Sequence, residues 1–600
     1  MFKGGRFTSY FLSATNRVRI NSRLEATLSS AIMRILTALL ASVVFVGAKP
    51  HLRHPVVRRR DEDVVQSCPS PVYCQGDLLD TVQLAGVFND SKTFVDMSQV
   101  NSVDVTLANF RAFMADTGGK PTREQVGRFV EENFVSENET VSWSPPDYKS
   151  NPEFLAKIAE PEVREFAKNL VSIWPQLGRK VAPEVALDPD RHSIIPVPEG
   201  FVVPGGRFRE LYYWDTYWII QALLISEMYD TVRGMLDNFV YLVDTYGFIP
   251  NGGRVYYLNR SQPPVFALMA AQYVKATNDT RWLAANVATL EAELAFWLAN
   301  RTVAVVKDGV TYELARYSSP SNTPRPESYS QDVATCFPYD EDDVAERRCY
   351  RALKSGAESG WDFSTRWFFD DLGGTETNLS RIDVERVVPV DLNAILYKAF
   401  ADVSDFYGLL GDDVKQTAWL ERSRTWGAAI DAVLYDQVDG IWHDYDLVLR
   451  RPRRLFFPSN FVPLWAGAHS RDRAEEYGGR ASAYFIHNGV DEYLGGVPTS
   501  LARSGEQWDL PNAWPPLQEF VVLGLLNSGN ENATFIANLF ANRWVTSTMI
   551  GYQENGVMFE KYNAVDPGRY GGGGEYVVQA GFGWTNGVVL NFIRIFFSEE

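Results

Sequence analysis

The feature that most limits how this chain can fold is a helical spacing of apolar residues, which recurs from about residue 68 to the C-terminal region. Two runs show it in full: Leu283, Val287, Leu290, Leu294 and Trp297, then Leu392, Leu396, Ala399, Val403 and Phe406. Steps of three and four place such residues on one face of a helix. A looser run covers residues 420–433, and a further helix is expected over residues 577–595. The spacing therefore predicts an all-α fold.

Segments rich in Gly, Pro, Asn and aromatic residues separate the predicted helices. They cover residues 200–211, 247–264, 318–330, 355–367, 495–516 and 551–576. Long loops in a compact domain usually carry function. Helices that alternate with such loops suggest a toroid of helix pairs with the loops on one face, and a plain helical bundle is the alternative. No strand-turn-strand run dominates, and the periodicity does not give the number of helix pairs.

The N-terminal region has the pattern of an export signal. Met33 and Arg34 precede an apolar run of 14 residues, 35–48, that ends in small residues. This pattern predicts a signal peptide over residues 33–48 and a secreted protein. A membrane anchor is the less favoured alternative, because the run is short for a bilayer span. The remaining divisions are then an extension over 1–32, a linker over 49–67 with arginines 58–60 as a candidate processing site, and a single domain over 68–600.

The charge and the cysteines limit the partners. A formal net charge of −18 and a pI near 5.0 argue against nucleic acid, which needs a basic surface. The four cysteines form two close pairs, Cys68 with Cys74 and Cys336 with Cys349, and they lack a CxxC motif. Zinc binding is therefore not expected. Each pair could close a short disulfide loop in an oxidising compartment, and free thiols are the alternative.

Glycosylation sequons agree with export. They begin at Asn89, Asn138, Asn259, Asn278, Asn300, Asn378 and Asn532. Several would arise by chance in a chain of this length, so they only support the signal peptide. Asn259 is expected to stay unmodified, because it lies in one of the candidate site loops.

Residues 204–218, PGGRFRELYYWDTYW, mix charged and aromatic side chains closely. Burying an unpaired charge is expensive, so this mixture favours a pocket for a ligand that is both polar and flat-faced. Sugars fit, because their hydroxyls form hydrogen bonds and their C–H faces stack on aromatic rings. An amphipathic helix start with a surface ion pair is the alternative.

Similar clusters recur downstream. They are GFIPNGGRVYYLNRSQPP at 247–264, PRPESY at 324–329, SGWDFSTRW at 359–367, QWDLPNAWPP at 507–516, and the segments FEKYN and GRYGGGGEY that carry Glu560 and Glu575. The sequence contains no GxSxG, HExxH or phosphate-loop motif. The glycine run 571–574 is interpreted as a flexible lid.

Carboxylates in aromatic surroundings suit glycoside hydrolysis. That reaction needs one protonated acid on the leaving oxygen and one carboxylate that acts on the anomeric carbon or on its water. Asp362, between Trp361 and Phe363, is a natural candidate for the acid, because an aromatic setting raises a carboxyl pKa by desolvation. A single Asp beside a Trp is more often a capping or ion-pairing residue, and composition does not choose among the acids.

The motifs identify a family. PGGRFRELYYWDTY at 204–217 and QWDLPNAWPP at 507–516 resemble the two signatures of the trehalases. IPNGGRVYYLNRSQPP, RPESY, SGWDFSTRW, EKY and GGGGEYVVQAGFGWTNGV resemble further trehalase segments in the same order, so the resemblance spans roughly residues 68–595. It implies an (α/α)6 toroid that hydrolyses the disaccharide α,α-trehalose to two glucoses with inversion, and it implies no metal or organic cofactor.

The resemblance also implies residue roles. Asp362 would be the general acid and Glu560 the general base. Sugar contacts would come from Arg207, Trp214, Asp215, Asn251, Arg260, Ser261, Gln262, Arg325, Pro326, Glu327, Gly360 and Glu575. Inversion predicts that the carboxyls of Asp362 and Glu560 stand roughly 6.5–9.5 Å apart.

Two ambiguities and three rival interpretations accompany the resemblance. Many relatives have Asp where this chain has Asn563. Activity is expected despite this difference, with a possible change in its pH profile. Glu575 is an alternative candidate for the general base. A glucoamylase-like enzyme, a catalytically silent trehalose-binding protein and a membrane-tethered form of the same enzyme are the rivals. Neither a membrane partner nor a particular oligomeric state is required by the sequence.

Overall fold

The computed structural model describes residues 63–136 and 139–599. The predicted extension 1–32, the signal segment 33–48 and the linker up to residue 62 lie outside the described residues. The compact body starts at Asp63, a few residues before the predicted boundary at Cys68. Val65 joins it there, because its backbone N–H donates to Asn322 Oδ1 at 2.8 Å and its carbonyl accepts from the Asn322 N–H at 3.0 Å.

Helices dominate the described residues. In chain order they are α1 Asp77–Leu84, α2 Lys92–Val95, α3 Val103–Asp116, α4 Arg123–Asn133, α5 Pro161–Val171, α6 Trp174–Leu177, α7 Pro183–Leu187, α8 Asp215–Ile225, α9 Tyr229–Tyr246, α10 Phe266–Thr277, α11 Thr280–Arg301, α12 Tyr329–Cys336, α13 Asp343–Ser359, α14 Val390–Leu410, α15 Asp413–Val433, α16 Val462–Ala466, α17 Ala474–His487, α18 Pro515–Asn527, α19 Glu531–Asn555 and α20 Gly583–Phe596. The all-α prediction is confirmed.

Six helices form a closed inner ring. α8 contacts α10, α10 contacts α14, α14 contacts α16, α16 contacts α18, α18 contacts α20, and α20 returns to α8. Each inner helix also packs against an outer one. The inner–outer pairs are α8 with α9, α10 with α11, α14 with α15, α16 with α17, α18 with α19, and α20 with α5. Six inner and six outer helices make an (α/α)6 toroid, so the predicted toroid is confirmed and the plain bundle is excluded.

The predicted helix positions agree with the structure except at the last segment. Apolar runs 283–297, 392–406 and 420–433 lie within α11, α14 and α15. The last helix begins at Gly583 rather than at residue 577. Residues before it are non-helical, and Ala580 pairs with Phe559 as an isolated bridge. None of the helices within 63–136 and 139–599 combines the length and apolar character needed to cross a bilayer.

The chain also forms short strands in the segments between the helices. They are β1 Ser98–Gln99, β2 Phe134–Val135, β3 Thr140–Ser142, β4 Gly178–Val181, β5 Phe201–Val202, β6 Thr302–Lys307, β7 Val310–Ala315, β8 Val387–Val388, β9 Tyr435–Asp436, β10 Ile441–Trp442, β11 Tyr445–Asp446, β12 Arg451–Pro452, β13 Asn512–Ala513 and β14 Tyr562–Asn563. The β6–β7 hairpin was not predicted. Its turn residues, Asp308 and Gly309, both have positive φ, at 52° and 79°. Asp-Gly between two runs of residues that favour strands is a hairpin signal, and the sequence analysis did not use it.

Both cysteine pairs form disulfides, so the free-thiol alternative is wrong. Cys68 bonds Cys74 across a Cα–Cα distance of 5.4 Å, and Cys336 bonds Cys349 across 5.8 Å. The second disulfide joins α12 to α13.

Candidate active site

One cavity lies where the N-terminal ends of several inner helices meet. Its walls come from the segments just before α8, α10, α18 and α20, together with residues that flank α12 and α13. All six loops predicted to carry function contribute residues to it. The cavity has a volume of about 90 Å³.

The cavity brings together most of the predicted site residues. It is lined by Asp362 and Glu560, and by Arg207, Trp214, Asp215, Asn251, Arg260, Gln262, Arg325, Glu327, Gly360 and Glu575. Ser261 and Pro326 lie behind the wall. The Ser261 hydroxyl donates to the Ile249 carbonyl at 2.7 Å, and the Pro326 carbonyl accepts from Gln83 Nε2 at 3.0 Å. Both therefore shape the loops that carry their neighbours.

Asp362 follows the end of α13. That helix ends at Ser359 and is capped by Gly360, whose φ of +76° is the left-handed conformation that glycine tolerates best. A Cβ on Gly360 would lie 2.6 Å from the Trp214 indole, so glycine is also required by the close approach. Burial raises the pKa of Asp362 to about 7, the charge of Arg325 opposes the rise and the charge of Glu575 adds to it. A carboxyl in this environment is protonated on the acid side of neutrality.

Glu560 is almost fully buried, and both of its carboxylate oxygens have donors. The Tyr576 hydroxyl donates to Oε1 at 2.8 Å, and the Lys561 ammonium lies 3.5 Å from Oε2. The Glu560 carbonyl accepts from Trp584 Nε1 at 3.0 Å. The carboxylate is therefore held between a hydroxyl donor and an ammonium group.

Asp215 is a third carboxyl in the cavity. It is the first residue of α8 and is 5% exposed. Burial raises its pKa well above the ordinary range, and the charges of Glu560 and Asp362 add to the rise. Asp362 and Glu560 therefore share the cavity with a carboxyl group that favours its neutral form.

Three arginines face the cavity, and each is held by acidic partners. Arg207 donates two hydrogen bonds to Asp90, at 2.9 and 2.7 Å. Arg325 donates to Asp332 at 2.6 Å and to Glu575 at 2.7 Å. Such paired contacts fix the guanidinium plane.

Arg260 is held differently. Its Nε donates to Asn251 Oδ1 at 2.8 Å, and its Nη2 donates to Glu327 Oε1 at 2.6 Å. Burial alone would raise the pKa of Glu327, but the charges of Arg260 and Arg325 outweigh this effect and lower the pKa. Arg260 Nη1 and Glu327 Oε2 are buried without a hydrogen-bond partner among the described residues. A donor and an acceptor are thus left for a polar ligand.

Aromatic rings complete the walls. Trp508 stacks on Trp514 with centroids 4.0 Å apart and planes at 2°. Further aromatic lining residues are Phe208, Tyr212, Tyr257, Tyr576, Phe582 and Trp584. Sequence reasoning did not assign these residues to the site. Their signal was their position beside the motif residues, as for Tyr576 directly after Glu575.

Two motif residues have roles outside the cavity lining. Asp509 is buried and accepts hydrogen bonds from Ser364, Thr365, Ser500 and Ser504. It therefore ties the loop that follows Asp362 to the second signature. Asn563 Oδ1 accepts from the backbone N–H groups of Val565 at 2.8 Å and Asp566 at 3.1 Å. An aspartate could accept the same two bonds, so this position serves a turn.

No metal centre is evident in the described part of the chain. There, no group of three or more His, Cys, Asp or Glu side chains is arranged to hold a metal ion. The buried charges of the cavity are instead matched by arginine and lysine. The arrangement can bind a neutral polyol through forked donors and aromatic faces, and it offers carboxyl groups in different states of ionisation.

The comparisons with known proteins agree with these motifs. The family model described as Trehalase matches residues 86–596. The chain is 54% identical to the trehalase of Tenebrio molitor over 89% of this chain and 96% of that protein. It is 46% identical to the trehalase of Homo sapiens over 87% and 89%. The solved structure of the neutral trehalase of Saccharomyces cerevisiae shares the fold, with a TM-score of 0.52 and 23% identity over 66% of this chain and 73% of that one. The chain belongs to the trehalase family.

Proposed function

We propose that this protein hydrolyses α,α-trehalose to two glucose molecules with inversion, with Asp362 as general acid and Glu560 as general base. Family membership supports the reaction. The observation that carries the mechanism is the pairing, in one cavity, of a carboxyl whose pKa burial raises to about 7 with a carboxylate that contacts an ammonium group. A general acid that is protonated near neutrality and a base that is ionised are what an inverting hydrolysis requires.

The proposed steps follow from these states. Asp362 donates its proton to the glycosidic oxygen as the bond to the anomeric carbon breaks. Glu560 takes a proton from a water that attacks the opposite face of that carbon. The attacked sugar leaves as β-glucose and the other as α-glucose, and Asp362 and Glu560 then exchange protons with solvent to restore their starting states.

Glu575 fits the role of base less well than Glu560. Its Oε1 accepts from Arg325 at 2.7 Å and its Oε2 accepts from Ser328 at 3.1 Å. Both oxygens are thus engaged by groups on the α12 side of the cavity. Glu575 is better suited to orient Arg325 and to accept from a sugar hydroxyl.

Substrate recognition would rest on the arginines and the aromatic walls. Trehalose is neutral and non-reducing, so its hydroxyls are the groups to recognise. Arg260 Nη1 and Glu327 Oε2, which are buried and unpartnered within the described residues, supply one donor and one acceptor. The tryptophans that line the cavity offer faces for the C–H surfaces of the sugar rings.

A proton NMR time course with trehalose, recorded before the anomers equilibrate, tests the proposal. Equal initial amounts of α- and β-glucose are expected. Only α-glucose would contradict inversion. No glucose, with trehalose still bound, would favour a binding protein, and cleavage of α-glucan ends instead of trehalose would favour a glucoamylase-like enzyme.

We further propose that the protein is secreted and glycosylated after removal of residues 33–48. The sequons at Asn89, Asn278, Asn300, Asn378 and Asn532 are exposed, whereas Asn138 lies outside the described residues. Asn259 is buried and donates to the Tyr256 carbonyl at 2.7 Å, so we expect it unmodified. N-terminal sequencing of protein from the medium should find a start near Lys49. An intact N-terminus on membranes would contradict secretion and favour an anchored form.

A further inference from the structure

Two buried side chains, Gln507 and Lys561, connect the segments that carry Asp362 and Glu560. Gln507 is 2% exposed and Lys561 is fully buried. Neither belongs to the cavity lining. Any effect they have on a bound sugar must therefore act through their neighbours.

Gln507 uses both ends of its amide. Its Nε2 donates to the backbone carbonyl of Asp362, and its Oε1 accepts from Lys561 Nζ at 2.8 Å. The Gln507 carbonyl accepts from Trp514 Nε1 at 2.8 Å. The segment that holds Asp362 is thus attached to a side chain that is itself fixed at a second point.

Lys561 continues the connection to Glu560. Its ammonium lies 3.5 Å from Glu560 Oε2 and 4.8 Å from the centre of the Trp514 ring. Glu560 is the only carboxylate within salt-bridge distance of Lys561 among the described residues. Besides Lys561, the Tyr576 hydroxyl contacts the Glu560 carboxylate, and the charge of Glu560 contributes to the raised pKa of Asp215.

We propose that Gln507 and Lys561 are positioning residues, which link the backbone of Asp362 to the carboxylate of Glu560 and so set the spacing of the acid and the base. This inference rests on the proposed function. The spacing matters because an inverting enzyme must leave room for one water between its carboxyls. A misplacement of about 1 Å can lower a rate by about a hundredfold.

Three substitutions separate the parts of the link. Gln507→Leu removes both amide contacts. Gln507→Glu has nearly the same shape and keeps an acceptor for Lys561, but it replaces the donor to the Asp362 carbonyl with a carboxylate oxygen. Lys561→Met keeps most of the apolar stem and removes the ammonium.

The test measures kcat and KM with trehalose for each variant, alongside its thermal unfolding. We expect kcat to fall by about a hundredfold in all three, with KM within about twofold, since no cavity contact is lost.

Asn393→Leu is the matched control. Asn393 is a buried amide that bridges the carbonyls of Ala315 and Pro389 away from the cavity, so its loss should lower stability without changing kcat. Variants with wild-type kcat, or an equal loss in Asn393→Leu, would overturn the link. If the unsubstituted protein leaves trehalose intact, the proposed function itself fails, and that result is seen before any variant is compared.

Discussion

At the scale of single residues, the partners of each carboxyl group set its role. Asp362 sits where burial outweighs the opposing charge of Arg325. Glu560 lies against Lys561 and Tyr576, while Glu575 is shared between Arg325 and Ser328. The proposed roles of acid, base and sugar-contacting group thus belong to carboxyl groups that differ in their partners rather than in their intrinsic chemistry.

The assignment of the base is tested by the pair Glu560→Gln and Glu575→Gln. We expect Glu560→Gln to lower kcat by about 10²–10⁴-fold, the usual contribution of a general base, while trehalose still binds. Glu575→Gln should mainly raise KM, because Arg325 loses one carboxylate partner. Steady-state kinetics distinguish the two, and full activity in Glu560→Gln would reject Glu560 as the base.

The pH dependence follows from Asp362. Its pKa of about 7 belongs to a group that must be protonated to act, so kcat/KM should fall about tenfold per pH unit above neutrality. The measurement is kcat/KM for trehalose between pH 4 and 9. A profile that stays flat to pH 9 would contradict the assignment, and Asp362→Asn should be nearly inactive across the whole range.

Only some of these residues could be predicted from the sequence. Asp362 was suggested by its setting between Trp361 and Phe363, whereas Glu560 was named only through the resemblance to trehalases. The pairing of Arg207 with Asp90 joins positions 117 residues apart. Contacts of this length depend on the folded path of the chain, and no local pattern carries them.

At the scale of elements, apolar spacing predicted the long helices well and the hairpin poorly. α11 and α14 each bury one stripe of apolar residues, so these residues recur along the sequence with the period of a helix. β6 and β7 are strands of six residues each, joined by Asp308 and Gly309. β7 alternates apolar and polar residues, but the run is too short to stand out among the long helical patterns. The start of α20 was placed too early because residues 577–582 serve the cavity region instead of a helix.

A buried carboxyl joins three inner helices. Glu519 of α18 accepts from Gln221 of α8 at 3.3 Å and from Asn591 of α20 at 3.1 Å. Burial raises its pKa to about 7, and the hydrogen bonds from Asn591 and Gln221 oppose that rise. Because the folded-state pKa exceeds the unfolded one, the neutral group stabilises the fold at low pH, and this stability is lost as pH rises through about 7.

Glu519→Gln tests that coupling. A neutral amide has no charge to bury, so the variant should be more stable than the parent at pH 8, by on the order of 3 kcal/mol, and similar to it near pH 4. Denaturant unfolding at both pH values measures the difference. The exposed Glu421→Gln is the control and should show no such dependence, and equal stability of Glu519→Gln and the parent at pH 8 would contradict the idea.

At the scale of the whole molecule, the apolar periodicity indicated helix pairs but not their number. Which helices become neighbours depends on contacts between distant segments, such as α20 against α8. The loops could be predicted to share one face because they hold related chemistry. The number six was predicted only through the resemblance to trehalases, and the packing of the helices confirms it.

The disulfides contribute to the stability of the molecule as a whole. Cys336 and Cys349 are 13 residues apart, and Cys68 and Cys74 are 6 apart. Loop-closure entropy gives about 3 kcal/mol for the larger loop and less for the smaller one. Calorimetry should find that the double Cys336→Ala/Cys349→Ala variant melts a few degrees lower than the parent. A larger fall for Cys68→Ala/Cys74→Ala would contradict this order.

The ring is closed by α20, the last helix of the toroid, which packs against α8. This order also determines when the active site can form during synthesis. During synthesis the segment with Glu560 and the helix that seals the ring are the last parts of the toroid to leave the ribosome. The earlier helices can gather beforehand, but their loops enclose no cavity while the ring is open. We therefore expect a nascent chain to be catalytically silent, with hydrolysis beginning only when the toroid has been completed.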